Sequence, residues 1–222
     1  MRPAAILIFF TVFLTGSTSY PIYELQKDLP IFDKNKPLAD CPIEGTDARQ
    51  AIRIRKWLSI MPGEVQRAID RITIHQHKDD TFKGLAVAYC RKTRGGKIEI
   101  HILANFVRPW YLWHEAAHAY EYRWGGDEEA WREAVGDGLS RKTSRTFPSR
   151  GVLTAYGMKH WQEDKADWVM EAYSYIAGYE NSFSKIPDIS DPRYTKKLRI
   201  LFVEGLIGKS DYEKINRLLE AY

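Results

Sequence analysis

Cysteine is scarce in this 222-residue chain, which holds two, Cys41 and Cys90. In an oxidising compartment an even pair is expected to form one disulfide, here tying the N-terminal arm to a strand region. The alternative is two separate buried thiols. Long hydrophobic runs are also lacking. The apolar stretch from Ala4 to Leu14 is too short for an ordinary membrane-spanning helix. No cysteine follows that stretch closely, which argues against a bacterial lipoprotein anchor. No basic run with interleaved aromatics occurs, and the formal net charge of +4 is mild, so nucleic acid is not an expected partner. Repeats and low-complexity tracts are absent as well, which leaves one domain as the expectation for the body of the chain.

What is present begins with a leader. Arg2 supplies a positive start, the apolar run follows, and Gly16-Ser17-Thr18-Ser19 is small and polar. That is the pattern of a secretory signal peptide over residues 1–19, with an uncleaved anchor as the alternative. The mature chain is therefore expected to be secreted or periplasmic, with no membrane association once the leader is removed. Residues 20–47 carry Pro21, Pro30, Pro37 and Pro42 among charges and read as an extended arm. Residues 48–222 form the remaining domain. Its hydrophobic fraction of 44% and charged fraction of 28% are those of an ordinary globular protein with a sizeable core.

Periodicity divides that domain. Thr46 or Asp47 caps a helix from Ala48 to about Ile60, and a second runs from Glu64 to about Asp70. Alternation then replaces the helical period. Arg71 to His75, Gly84 to Arg91 and Lys97 to Ile102 read as strands, the last two joined through Arg94-Gly95-Gly96 as a hairpin. His75, His77 and His101 fall in this region without ligand spacing and read as polar side chains on a strand face. Helices follow at about Trp110 to Trp124, Asp127 to Arg145, His160 to Tyr179, Arg193 to Ile207 and Asp211 to Tyr222, with Gly136 and Gly138 weakening the second. The class is α+β, mostly helical, with a small sheet.

The chemistry lies in Trp113-His114-Glu115-Ala116-Ala117-His118. Residues four apart on a helix lie one above the other, so His114 and His118 can aim both imidazoles at one Zn²⁺. Glu115, one step round, is then placed to act on a water. A buried helix with two hydrogen-bonded histidines is the bland reading of the same letters. A catalytic zinc wants three protein ligands and an open position. Glu163-Asp164-Lys165-Ala166-Asp167 offers a carboxylate as the third. Glu163 and Asp167 share a face, so Glu163 can bind metal while Asp167 orients a ligand histidine. Glu171, one turn further on, is the alternative ligand. A solvated acidic patch at a helix start is the reading without metal.

These residues resemble glutamate-type zincin metallopeptidases, in which H-E-x-x-H is followed by a helix bearing the glutamate ligand and an acid four residues later. Within them the likeness is to the branch of the anthrax lethal factor catalytic domain and the Pro-Pro endopeptidases, where a tyrosine lies shortly before an E-x-x-A-E segment. Here Tyr156 falls seven residues before Glu163. The resemblance implies a zincin-like fold with one Zn²⁺ held by His114, His118 and Glu163. It further implies Glu115 as general base and Tyr156 as an oxyanion stabiliser; a packed loop aromatic is the bland reading of Tyr156. Asp167 departs from the glutamate usual at that position. The likeness spans about Trp110 to Tyr173.

The expected activity is therefore that of a secreted zinc metalloendopeptidase, hydrolysing peptide bonds through a zinc-activated water, with a peptide or protein as substrate. The alternative is a secreted, non-catalytic binding protein that keeps the zincin-like fold, with or without zinc. The strand from Lys97 to Ile102 is expected to offer its edge to an extended peptide. Sequence leaves the oligomeric state and the cleavage preference open.

Overall fold

The computed structural model describes residues 41–78, 82, 86–136, 151–183 and 191–221. The expected leader at 1–19, most of the arm at 20–47 and the expected helical stretch beyond Gly136 lie outside these residues. The described part is mostly helical with one small sheet.

Helix α1 (Ala48–Ser59) starts at Asp47, whose Oδ1 accepts the Gln50 N–H at 2.7 Å. Ile54, Trp57 and Leu58 recur at helical spacing and are the buried face. The short helix α2 (Gly63–Arg67) follows. Four strands form the sheet: β1 (Ile43–Glu44), β2 (Arg71–His75), β3 (Ala88–Lys92) and β4 (Ile98–Leu103), in the order β1-β2-β4-β3. β1, β2 and β4 run parallel, and β3 pairs antiparallel with β4 through the Gly96 turn. β1 lies in the segment read as an arm; two residues carry too little pattern to show alternation.

This order corrects two expectations. β4, the strand expected to offer its edge, is interior, with β2 on one side and β3 on the other. That is why Ile98, Glu99, Ile100, His101 and Ile102 are all buried. Among the described residues the edge strands are β1 and β3. Cys41 and Cys90 are also not bridged; both are buried thiols. Cys41 leads into β1 and Cys90 sits in β3, at opposite edges of the sheet. Three strand spacings, about 14 Å at ~4.8 Å each, far exceed the reach of a disulfide.

Helix α3 (Pro109–Trp124) opens with proline at its first position and ends at Gly125, whose φ of 77° only glycine adopts without strain. Every residue from Leu112 to Tyr120 is buried. One side of α3 packs on β3 and β4, and others on α1, α2 and α5 (Trp161–Ile176). Trp113 fixes the crossing with α1 by donating its indole N–H to the Trp57 carbonyl at 2.9 Å. Helix α4 (Glu128–Val135) is capped by Asp127 and stops at Gly136. Helices α6 (Pro192–Val203) and α7 (Lys209–Glu220) close the described chain, and α6 covers α4. No helix among the described residues is long and apolar enough to cross a membrane.

Candidate metal centre

The buried middle of α3 faces the first turns of α5, and there three side chains converge. His114 Nε2 lies 3.2 Å from Glu163 Oε2 and 3.2 Å from His118 Nε2, and His118 Nε2 lies 3.4 Å from Glu163 Oε2. Tetrahedral zinc with bonds of ~2.0–2.1 Å sets its ligand atoms roughly 3.3–3.4 Å apart. The three edges of this triangle, 3.2, 3.2 and 3.4 Å, come close to that length. All three residues are buried, and they could hold a metal ion.

The outer partners suit the same role. His114 Nδ1 donates to Asp167 Oδ1 at 2.9 Å. That bond fixes the tautomer and turns the Nε2 lone pair toward the triangle. Burial alone would lower the His114 pKa, but the hydrogen bonds to Asp167 and Glu163 outweigh it and raise the value. Burial would likewise raise Glu163, yet His118 and His114 hold its carboxyl below the ordinary range. Glu163 Oε1 and Glu115 Oε2 are buried with no hydrogen-bond partner among the described residues. Orphaned carboxylate oxygens beside two imidazoles are the donor set a divalent cation satisfies.

Glu115 points to the sheet side of the triangle. Burial pushes its carboxyl up to about 7, with His114 and His118 pulling the other way. The backbone N–H of Cys90 donates to it. This contact follows from the edge position of β3. Thr93 and Val87 bond to β4, so Ala88 and Cys90 turn their backbone groups to the open edge. Val87 and Ala88 line a cavity of about 170 Å³ together with Tyr111, Met170, His114 and Glu115.

Tyr156 lies at the same cavity, its ring centroid 5.9 Å from that of His114. Its hydroxyl hydrogen-bonds to Glu163, and burial with the surrounding carboxylates raises its pKa, so it stays protonated. Glu171 is not in the group. Its carboxylate accepts the Ser182 N–H at 2.5 Å and the Ser182 hydroxyl at 2.8 Å, which ties α5 to the chain that follows it. His75 and His101 also lie elsewhere, on the far face of the sheet, 2.9 Å apart through Nε2 and Nδ1. Two contributors escaped the sequence reading: the Cys90 amide, which only the strand order reveals, and Thr154, whose hydroxyl donates to Asp167 Oδ2.

No protein-family model and no curated protein matches the chain. Among solved structures it is similar to a chain from Bacteroides caccae provisionally described as a zinc-binding metallo-peptidase, at 12% identity and a TM-score of 0.47, over 83% of this chain and 86% of that one. At that level of likeness, the chemistry rests on the residues of this chain.

Proposed function

We propose that the protein is a zinc-dependent peptidase of the zincin type, with His114, His118 and Glu163 as metal ligands. The observation that carries this reading is the buried triangle of donor atoms with 3.2–3.4 Å edges, set beside Glu115 in an open cavity. Three protein donors next to a cavity suit a catalytic site; a structural zinc site is closed by four.

Zinc bound there would polarise a carbonyl and lower the pKa of water. The remaining work falls to the chain. Asp167 keeps the His114 imidazole in the ligating tautomer. Glu115 takes a proton from the attacking water and passes it to the leaving amine, a role suited to a buried carboxyl beside the triangle. The Tyr156 hydroxyl, still protonated, releases Glu163 and donates to the oxyanion as it develops. The edge of β3 at Ala88 offers backbone groups to an extended peptide, the Cys90 N–H being taken by Glu115. With the leader expected at residues 1–19, the activity would act outside the cytoplasm.

The test is cleavage of a mixed peptide library by the full mature chain beside its Glu115→Gln variant, with zinc content measured in both. The variant should keep its zinc and lose turnover by ~10²–10⁴-fold, the usual weight of a general base. Near-wild-type cleavage by Glu115→Gln would sink the mechanism. A zinc-loaded wild type that cuts nothing would instead favour a binding role.

A further inference from the structure

Thr154 bonds to two parts of the site, the Asp167 carboxylate behind His114 and the turn that carries Tyr156. It is half-buried, in the segment that leads from α4 to α5, and it lines the cavity beside His114. A hydroxyl has one hydrogen to donate and lone pairs to accept with. Thr154 uses both. Its hydrogen goes to Asp167 Oδ2, and its oxygen accepts the Gly157 N–H at 3.0 Å.

The first bond acts on the metal side. Asp167 already accepts from His114 Nδ1 through Oδ1, so Thr154 occupies the other oxygen and stops the carboxylate from rotating. An aspartate reaches less far than a glutamate, and its orientation depends on what holds the far oxygen. The second bond acts on the oxyanion side. Accepting from a residue three positions on closes a tight turn around Tyr156. Gly157 is pressed against α5 from the opposite direction: a Cβ there would lie 2.9 Å from the Asp164 Cα. The turn is therefore clamped between Thr154 and the helix, and Tyr156 leaves it with a fixed reach toward Glu163.

We propose that Thr154 is a positioning residue, one hydroxyl that fixes Asp167 behind His114 and at the same time sets the turn presenting Tyr156. The proposal rests on the zinc-peptidase reading of the site. It assigns to Thr154 an effect on metal affinity and on turnover together, which neither Asp167 nor Tyr156 would show alone.

The experiment compares Thr154→Val, which keeps the shape and loses both hydrogen bonds, with Thr154→Ser, which keeps the hydroxyl. Zinc dissociation constants are measured by chelator competition, and kcat and KM on a cleaved peptide, in the full mature chain. Thr154→Val should bind zinc ~10–100-fold more weakly, the usual effect of removing an outer partner of a ligand histidine. With zinc saturating, its kcat should fall by no more than the ~10²–10³-fold cost of an oxyanion donor, with KM little changed. In a Tyr156→Phe background most of that kcat loss should disappear. Thr154→Ser should restore both quantities to within about threefold, well inside one outer-partner effect. Wild-type zinc affinity in Thr154→Val, or a serine variant as impaired as the valine one, would overturn the coupling. Should Thr154→Val not fold, Thr154→Ala removes the same hydroxyl and is read in the same way. A wild type that binds zinc but cleaves nothing removes the peptidase reading while the affinity arm still decides on Thr154. A wild type that binds no zinc removes both.

Discussion

Five consecutive residues of α5, Glu163 to Asp167, carry two kinds of buried charge, and the two are compensated differently. Asp164 and Lys165 belong to the first kind. Asp164 Oδ2 meets Lys197 Nζ of α6 at 2.5 Å and accepts the Trp131 indole N–H of α4 at 2.9 Å. Lys165 Nζ lies 2.5 Å from both Glu121 and Glu204. Each of these charges has a permanent opposite charge beside it, and together they pin α5 to α3, α4 and α6. Glu163 and Asp167 are the second kind. Among the described residues no lysine or arginine pairs with either, or with Glu115; their partners are His114 and His118. An imidazole balances a carboxylate only while it holds a proton, and that proton can be exchanged for a metal ion. The first set is built to stay as it is; the second could hold a cation.

Separate substitutions should pull these two sets apart. Glu163→Gln removes a donor anion while keeping the side-chain volume. Zinc affinity should fall by more than the ~100-fold upper range for losing an outer partner, as measured by chelator competition. Unchanged affinity would mean that the triangle is not the binding site. Lys197→Met should do the opposite. Asp164, fully buried and with its pKa already raised to about 6 by burial against the pull of Lys197, loses its counter-charge. Unfolding by denaturant should show a loss of ~3–5 kcal/mol, the usual result of stranding one half of a buried pair. Zinc affinity should change far less than in Glu163→Gln; equal losses in both properties would erase the distinction.

The smallest effect is expected at the far face of the sheet, where a third arrangement appears. His101 is kept neutral: burial, Arg91 and His75 push its pKa down to about 4, against the opposing pull of Glu99. An unfolded chain takes up that proton near 6.5. The folded state therefore binds fewer protons between pH 6.5 and 4, and its stability falls as the pH drops through that window. Melting temperatures recorded across it should decline less steeply in His101→Gln. An identical slope in wild type and variant would show that His101 contributes nothing to the acid sensitivity.

How much of this could be read from the letters follows from the range of each interaction. His114 and His118 are tied by the pitch of one helix, and so are Glu163 and Asp167, so their spacing alone implies a shared face. Most element positions were legible for the same reason; α1, β2 and α3 sit within a residue of where capping and periodicity place them. Strand order is a different matter. Nothing within Lys97–Ile102 says that β2 and β3 flank it, so its letters suggest an edge strand, and nothing near Cys41 or Cys90 says that the full sheet separates them. Thr154 was missed because a threonine in a loop carries no periodic signal. Its importance arises from packing against a helix thirteen residues away. Glu171 shares helical spacing with Asp167, yet the chain after α5 claims its carboxylate, which no local pattern announces.

The placement of the two thiols at opposite edges of the sheet has a practical consequence. Since no covalent cross-link joins the described elements, their folding waits on no oxidant and needs no isomerase to sort partners. A phosphine or thiol reductant should leave its unfolding midpoint where it was.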